Sequence, residues 1–190
     1  MIMLTALFTA LIAAGAFIKI PMIPVPMTLQ TLFVFLAGLL LTPSSAASAL
    51  GIYIVLGAIG LPIFTSGGGL SALFSPTGGF IFGFLVSAIV GSFLAKRKRG
   101  SYLYNIFVVV VMEVITYLIG IPWLKVKIAS TWAKAFAVGM TPFIIGDAVK
   151  MAVSVVAGTI LYPETEKLRK KLFSFPVLSL LPVNECHHQS

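Results

Sequence analysis

The sequence predicts an all-α membrane protein, a bundle of six transmembrane helices with both termini in the cytoplasm. Of its 190 residues, 59% are hydrophobic and only 9% are charged, whereas about a quarter of an ordinary soluble domain is charged. Apolar runs of about the length of one bilayer crossing recur along the chain. Turn-forming residues separate these runs, so the chain is expected to be a multi-pass protein of the cell membrane.

Six apolar segments define the predicted helices. They cover residues 4–20, 29–41, 48–64, 79–95, 103–123 and 134–162. The second is too short to cross a hydrocarbon core about 30 Å thick by itself, so we expect it either to continue into Met27 and Thr42 or to end inside the protein. The sixth is long enough to tilt or to project beyond the bilayer.

The connections between the segments contain residues that interrupt helices. Pro21, Pro24 and Pro26 follow the first segment, Pro43 follows the second, glycines 67–69 follow the third, the basic run 96–99 follows the fourth, and Pro122 closes the fifth. Proline fixes φ and glycine allows positive φ, so both favour turns.

The basic residues favour cytoplasmic termini. With both termini inside, the cytoplasmic segments contain eight of them: Lys96, Arg97, Lys98, Arg99, Lys167, Arg169, Lys170 and Lys171. The outer segments contain four: Lys19, Lys125, Lys127 and Lys134. Because cytoplasmic segments are enriched in Lys and Arg, residues 1–162 are assigned to the membrane domain and 163–190 to a cytoplasmic tail. This topology and the lipid bilayer explain the net charge of +8 without nucleic acid as a partner.

Three ionisable residues fall inside the predicted helices. A charge at the centre of a membrane helix costs about 2.5–3.5 kcal/mol, and the i, i+3 spacing of Asp147 and Lys150 puts both on one face. They form either an ion pair that stabilises the bundle or a polar pocket for a ligand. Glu113, with Tyr117 one turn on, is expected to pair with Lys150, bind an ion, relay protons, or be held by hydroxyls in a structural role.

Two outer connections have the composition of a ligand-binding mouth. Residues 24–30 are rigid and apolar and end in a hydrogen-bonding amide. Residues 67–79 are rich in glycine and offer Leu70, Leu73 and Phe74 as an apolar lid. Both connections are expected on the outer side of the membrane. The sixth helix enters the membrane from that side, and Asp147 is expected about three turns into this helix. A mostly apolar pocket with a few placed polar groups is the usual form of a small-molecule site.

Motifs for catalysis are absent from the sequence. Glycines 67–69 are not followed by Gly-Lys-Ser/Thr, and neither His-Glu-x-x-His nor Gly-x-Ser-x-Gly occurs. We therefore predict no enzyme activity and no cofactor, and any uphill transport must draw energy from an ion gradient or from partner proteins. Cys186, His187 and His188 are a conceivable metal-binding cluster, but their place in a polar tail predicts a solvated end.

Small residues repeat at every fourth position of the first helix, at Ala6, Ala10 and Ala14. Such a stripe leaves a flat surface on which another helix packs closely. The partner is either a helix of the same chain or another membrane subunit.

Three segments, in this order and spacing, carry a family resemblance. They are Pro-Val-Pro-Met-Thr-Leu-Gln-Thr at 24–31, Leu-Phe-Ser-Pro-Thr-Gly-Gly-Phe at 73–80 followed by Gly83-Phe84, and Gly-Met-Thr-Pro-Phe-Ile-Ile-Gly-Asp-Ala-Val-Lys at 139–150. Gly-Ile-Pro-Trp-Leu at 120–124 adds support. With these segments the chain resembles the BioY family, the biotin-specific substrate-binding (S) subunits of energy-coupling factor (ECF) transporters, over most of residues 4–150.

The resemblance implies a high-affinity subunit that captures biotin at the outer face and delivers it inward with an ATP-driven module. It implies six helices with both termini inside. The site would be formed by the loop after the first helix, the loop before the fourth, and the fourth and sixth helices. The stripe of Ala6, Ala10 and Ala14 would dock onto a transmembrane coupling subunit that works with two ATPases.

The resemblance also assigns roles toward biotin, which has a ureido ring, an apolar bicycle and chain, and a carboxylate. Asp147 would accept from the ureido N–H groups, and Lys150 would donate to the ureido oxygen or balance Asp147 and the ligand carboxylate. The remaining expected site residues are Thr28, Gln30, Ser75, Gly78 and Gly79, together with Tyr53, Leu73 and Phe74 against the apolar part. The group that binds the carboxylate stays open.

Two other functions stay open. One is an ion-coupled secondary carrier in which Glu113, Asp147 and Lys150 relay protons. The other is an ECF subunit for a different vitamin. An intramembrane enzyme is disfavoured because the chain has no matching pair of nucleophile and base.

Overall fold

The computed structural model describes residues 2–98, 100–128 and 131–173, the last five of them by their backbone alone. The helices are α1 at Ile2–Phe17, α2 at Gln30–Leu40, α3 at Pro43–Ala58, α4 at Leu70–Leu73, α5 at Gly78–Ala95, α6 at Tyr102–Lys127, α7 at Trp132–Gly139 and α8 at Ile144–Phe173. Two short antiparallel strands, β1 at Lys19–Ile20 and β2 at Met27–Thr28, pair with each other. Arg99, Cys186, His187 and His188 lie outside the described residues.

Each predicted apolar segment overlaps one long helix, namely α1, α2, α3, α5, α6 or α8. The bounds of the third segment are wrong, because α3 begins at Pro43 and ends at Ala58, before the predicted end at Phe64. Three stretches are long and apolar enough to cross a membrane: Gly78–Ala95, Tyr102–Lys127 and Ile144–Leu168. Helices α1, α2 and α3 are shorter apolar helices of 10–17 residues. The prediction of a mostly helical membrane protein is confirmed, while six crossings and cytoplasmic termini stay predictions.

Helix α2 does not continue into Met27 or Thr42, so the first of the two courses expected for its segment is wrong. It has 11 residues, which at 1.5 Å per residue span about 17 Å, roughly half a bilayer core. Met27 and Thr28 form β2, and Leu41 is extended, so the helix continues at neither end. Helices α1, α5 and α8 pack around it and leave Val34 and Phe35 with no exposed surface.

The sixth predicted helix is wrong as a continuous element, because residues 134–162 contain parts of two helices, α7 and α8. The chain turns at residues 140–143 between them. There, Pro142 has no N–H to donate and disfavours a helical conformation at Thr141. Asp147 consequently lies in the first turn of α8 and not three turns inside a helix.

The predicted end of the fifth helix at Trp123, beside Pro122, is also too early, since α6 continues through this proline to Lys127. Membrane helices tolerate proline where neighbouring structure satisfies the freed backbone groups. Helix α8 likewise continues past Tyr162, through Pro163, to Phe173. Proline alone is therefore a weak predictor of helix ends in this chain.

Small residues bring α5 and α6 close together. A Cβ atom at Gly83 would meet the backbone of Thr116 at 3.0 Å, and one at Gly91 would overlap the side chain of Met112. Close approach of this kind is typical of membrane helices, whose association depends on tight packing. The packing fixes α6, and with it Glu113, beside α5 and the buried α2.

Three connections meet at one end of the bundle: those between α1 and α2, between α3 and α5, and between α6 and α8. Lys19 Nζ donates to the carbonyl of Thr65 at 2.9 Å, which joins the first connection to the second. The indole N–H of Trp123 donates to the carbonyl of Ser75 at 3.0 Å, which joins the second to α6. The two connections predicted to form a mouth therefore lie together.

Candidate ligand-binding site

A cavity lies at this end of the bundle, between α2, α5, α6 and α8 and beside the segment that precedes α2. It contains about 540 Å³ of atom-free space, a volume that includes open solvent at its mouth. Its apolar wall consists of Val25, Pro26, Phe80, Ile81, Phe84, Gly139 and Phe143. Its polar lining consists of Thr28, Gln30, Thr31, Thr65, Thr77, Glu113, Thr116, Tyr117, Asp147 and Lys150.

An ion pair on α8 occupies the polar part of the lining. Lys150 Nζ lies 2.6 Å from Asp147 Oδ1, and both side chains are 9% exposed. Asp147 Oδ2 accepts a hydrogen bond from Tyr117 OH at 2.5 Å, and Lys150 donates to the carbonyl of Thr28 at 3.0 Å. Both charged groups are thus paired and hydrogen-bonded, which is the condition under which proteins tolerate buried charges.

Local structure explains why these groups meet. The first turn of a helix favours an acidic residue, since the helix dipole places partial positive charge there, and Asp147 occupies that turn of α8. Lys150 follows at i, i+3 on the same face. Asp147 and Lys150 form a buried ion pair and also line a cavity. Their contact with a ligand stays a prediction.

Glu113 is the third ionisable group in the lining. It lies one turn before Tyr117 on α6 and is 9% exposed. Its Oε2 atom is buried and has no hydrogen-bond partner among the described residues. Lys150, an expected partner of Glu113, pairs with Asp147 instead. Among the described residues, the other buried side-chain nitrogen or oxygen without a hydrogen-bond partner is Gln30 Nε2.

Some of the predicted site residues line the cavity together, namely Thr28, Gln30, Asp147 and Lys150. Ser75 lies behind the lining, with its hydroxyl 2.8 Å from that of Thr77. Gly78 and Gly79 open α5, and a Cβ atom at Gly79 would overlap the side chain of Trp123. These two glycines therefore serve close packing at the start of α5.

The residues predicted to cover the apolar part of a ligand are absent from the cavity lining. Tyr53 is fully buried in α3, where its OH donates to the carbonyl of Ile63 at 3.2 Å. Leu73 is buried, and Phe74, which is 52% exposed, stacks on Trp123 with 6.2 Å between ring centroids. Contact of Tyr53, Leu73 and Phe74 with a ligand stays a prediction.

Sequence reasoning missed much of the lining, including the aromatic wall to which Phe80 and Phe84 contribute. A signal for part of it is present in the sequence. Phe80 and Phe84 are four residues apart on α5, and Thr116 and Tyr117 share one face of α6 with Glu113. Polar side chains gathered on one face of an apolar membrane helix indicate a cavity or a partner.

Two lysines lie near the mouth. Lys19 bonds the backbone of the lining residue Thr65 and is itself exposed. Lys127 Nζ lies 5.2 Å from the ring centroid of Trp123 and 5.7 Å from that of Phe74. A cation–π contact of this kind holds an ammonium group in place while it keeps its charge.

The chemistry of the lining is that of hydrogen bonding and charge pairing. Within residues 2–98, 100–128 and 131–173, no group of three His, Cys, Asp or Glu side chains is placed to hold a metal ion. A helical membrane bundle that encloses an apolar cavity with a few placed polar groups defines a membrane protein that binds a small solute.

Comparison with known proteins gives the family. Residues 1–167 match the sequence model of the BioY family, and the chain belongs to that family. It is 40% identical over 149 residues to the biotin transporter BioY of Thermotoga maritima, over 78% of this chain and 87% of that protein. It is 40% identical over 154 residues to the probable biotin transporter BioY of Pyrococcus horikoshii, over 80% of this chain and 90% of that protein.

The fold is also similar to a solved structure. The match is to a crystal structure of the S-component for biotin from an ECF-type ABC transporter, with a TM-score of 0.75 and 29% sequence identity. It covers 89% of this chain and 90% of that chain. Together with the long apolar helices, these similarities identify a multi-pass protein of the cell membrane.

Proposed function

We propose that this chain is the biotin-binding S subunit of an ECF-type vitamin uptake transporter. The observation that carries the proposal is the Asp147–Lys150 pair, buried in a cavity at one end of the bundle of a chain whose relatives are named biotin transporters. The subunit captures biotin at the outer face and delivers it inward with an ATP-driven coupling module.

The cavity offers complementary groups for each part of biotin. The Lys150 ammonium has three donors and uses two of them toward Asp147 and Thr28, so one remains for the ureido oxygen. The ring of Phe80 lines the apolar part of the cavity and covers the bicycle. Lys19 at the mouth supplies a cation for the carboxylate, which then points outward.

The proposed topology has six crossings and both termini in the cytoplasm, so that the cavity faces outward. The exposed Lys96, Arg97 and Lys98 between α5 and α6 then lie at the cytoplasmic face, as does Lys167 in α8, in agreement with the positive-inside rule. Residues 163–190 belong to the cytoplasmic side, although α8 runs without a break from the membrane segment to Phe173.

Helix α1 supplies the docking surface for the ECF transmembrane coupling subunit. Ala6, Ala10 and Ala14 are exposed, whereas Phe8 and Ile12 form the buried face of α1. The stripe is thus left outside the chain's own core, and a flat surface of small residues favours close packing with a helix of another subunit. ATPase subunits bound to that partner supply the energy, and this chain acts without enzyme activity, cofactor or nucleic acid.

A biotin titration tests the proposal. Purified protein in detergent is titrated by calorimetry, alongside Asp147→Asn and Lys150→Ala, with Glu164→Gln as an exposed control. We expect one-to-one binding by the wild type and by the control. Each cavity variant should weaken binding at least about 100-fold, because it leaves the partner charge unpaired in a buried site. Well-folded wild type that binds no biotin would overturn the biotin assignment.

An ion-coupled secondary carrier is the second candidate, and one observation favours it. Glu113 lines the same cavity as Asp147 and Lys150, so three ionisable side chains lie together, as a proton relay requires. Sealed vesicles that contain only this chain separate the two functions. A carrier gives biotin uptake that an uncoupler abolishes, whereas an S subunit binds biotin without a gradient and needs ATP and its partners for uptake.

A further inference from the structure

A second concave surface lies at the end of the bundle opposite the ligand-binding cavity. It is an open groove between the start of α1, the start of α3 and the end of α5. It contains about 1530 Å³ of atom-free space, a volume that includes open solvent. Its lining, as far as the structure describes the chain, contains one lysine, Lys96, five hydroxyl side chains and no acidic side chain. The groove is therefore separate from the proposed biotin site and different in charge.

The polar part of the groove suits an anion. Ser44 and Ser48 lie one turn apart on α3, so their hydroxyl groups share one face of that helix. Both serines are exposed, as is Lys96, which directly follows the last turn of α5. Hydroxyl groups and an ammonium group all donate hydrogen bonds, and those from a cation to a phosphate are among the strong ones.

The remaining part of the groove is apolar. Ile52 on α3 and Phe93 on α5 line it and are 44% and 58% exposed. A water-soluble anion bound to the polar part would leave this surface uncovered, whereas a hydrocarbon chain would remove it from water. The combination of the two parts therefore fits an amphiphile with a negatively charged headgroup.

The place of the groove in the membrane selects among amphiphiles. In the proposed topology, Lys96 lies at the cytoplasmic face with the exposed Arg97 and Lys98. The cytoplasmic leaflet carries anionic lipids, and basic pockets between membrane helices on that side bind their headgroups. A lysine also lays its apolar stem along hydrocarbon while its ammonium group stays at the level of the headgroups.

We propose that the groove binds one anionic phospholipid of the cytoplasmic leaflet. Its phosphate lies against Lys96 and the exposed serines of α3, and one acyl chain lies along Ile52 and Phe93. The proposal rests on the topology given under the proposed function. Ala6 lines the groove as well, so in the free subunit the lipid lies at the edge of the surface proposed to dock onto the coupling subunit.

Lipid titrations followed by native mass spectrometry test the proposal. Purified protein in a neutral detergent is titrated with palmitoyl-oleoyl phosphatidylglycerol or with phosphatidylcholine of the same chains, and the Kd of the first bound lipid is measured. Lys96→Gln removes the charge and Lys96→Arg keeps it. Lys98→Gln is the matched control, because Lys98 is exposed two residues further on but lies outside the lining. The salt concentration is about 0.15 M, at which exposed charges are screened beyond about 8 Å.

We expect the wild type to bind phosphatidylglycerol more tightly than phosphatidylcholine. Lys96→Gln should bind phosphatidylglycerol about fivefold more weakly, the effect of one basic residue close to an anionic headgroup. Lys96→Arg and Lys98→Gln should stay within about twofold of the wild type, the first because it keeps the charge and the second because of screening. All three variants should bind biotin as the wild type does, which also shows that they are folded.

Several outcomes overturn the proposal. One is equal affinity of the wild type for the two lipids, and another is wild-type affinity for phosphatidylglycerol in Lys96→Gln. Equal losses in Lys96→Gln and Lys98→Gln would assign the effect to the general surface charge and not to the groove. Displacement of the lipid by an equal concentration of soluble glycerophosphoglycerol would mean that the acyl chain contributes nothing. Failure of the wild type to bind biotin is a different result, which overturns the proposed function itself.

Discussion

Among the side chains of helix α8 that the structure describes, two acid–lysine pairs have the same i, i+3 spacing and nearly the same separation. Asp147 and Lys150 are 2.6 Å apart, and both side chains are 9% exposed. Glu164 and Lys167 are 2.7 Å apart, but their side chains are 61% and 72% exposed. Sequence spacing and distance are thus almost identical, and burial alone separates the pairs.

The difference in burial changes what each pair contributes. Water competes for the exposed pair, so a pair of that kind stabilises a protein by about 0–1 kcal/mol. Removal of one partner from a buried pair costs about 3–5 kcal/mol, because the other charge is left uncompensated. The contribution of an acid–lysine pair to the stability of a membrane protein therefore depends on how deeply the pair is buried.

The largest expected effect comes from breaking the buried pair. Lys150→Met should lower the free energy of unfolding by about 3–5 kcal/mol and abolish biotin binding, because Asp147 keeps only the hydrogen bond from Tyr117. Adding Asp147→Asn should restore part of the stability but not the binding. Denaturant unfolding in detergent measures both, and wild-type stability of the single variant would contradict the prediction.

The second-largest effect is expected at Tyr117, which supports the pair from the neighbouring helix α6. Tyr117→Phe removes the donor to Asp147 and should lower the free energy of unfolding by about 1.5–3 kcal/mol, as for a hydrogen bond to a charged group. Tyr104→Phe is the control, since its OH bonds the neutral carbonyl of Leu94 at 3.1 Å and should cost about 0.5–1.5 kcal/mol. Equal losses of unfolding free energy in Tyr117→Phe and Tyr104→Phe would contradict the prediction that the acceptor of the Tyr117 hydrogen bond is charged.

A smaller effect is expected at the mouth. Lys19→Met should weaken biotin binding by no more than about tenfold, and the difference should shrink as salt is added, because an exposed cation acts through screened attraction. Biotinamide, which lacks the carboxylate, should bind both proteins equally. A salt-independent loss that is the same for biotin and biotinamide would exclude a role for Lys19 toward the carboxylate.

The smallest effect is expected at the exposed pair. Lys167→Met should change the free energy of unfolding by no more than about 0.5 kcal/mol and leave biotin affinity unchanged, since exposed ion pairs contribute little. The same unfolding and titration experiments measure it. A loss as large as that of Lys150→Met would mean that burial does not separate the two pairs.

The positions of the helices could be predicted because hydropathy is a local property of the chain. Each apolar segment contains a helix, yet the break before α8 was missed, because an apolar run hides the effect of Pro142 on the residue before it. The predicted ends at Trp123 and Tyr162 were too early for the opposite reason, since both helices continue through a proline, Pro122 in α6 and Pro163 in α8.

The site could be predicted only in part. Asp147 and Lys150 stand out in an apolar segment because buried charge is expensive. Their partners do not stand out, since Tyr117 lies 30 residues from Asp147 and Thr28 lies 122 residues from Lys150. The depth of Tyr53 behind the cavity is likewise set by the packing of α3, which no local pattern reveals.

Helix α2 has a consequence for the electrical behaviour of the protein. Beyond Gln30, which lies at the cavity, α2 is apolar, and its residues Val34 and Phe35 have no exposed surface. The buried charged side chains of the described residues are Glu113, Asp147 and Lys150, all in the cavity lining. An ion beyond them would lose its hydration shell, while 100 mV of membrane potential supplies only about 2.3 kcal/mol per charge. We therefore expect the protein in this conformation to pass no ions, so that many copies leave the ion gradients of an energised membrane intact.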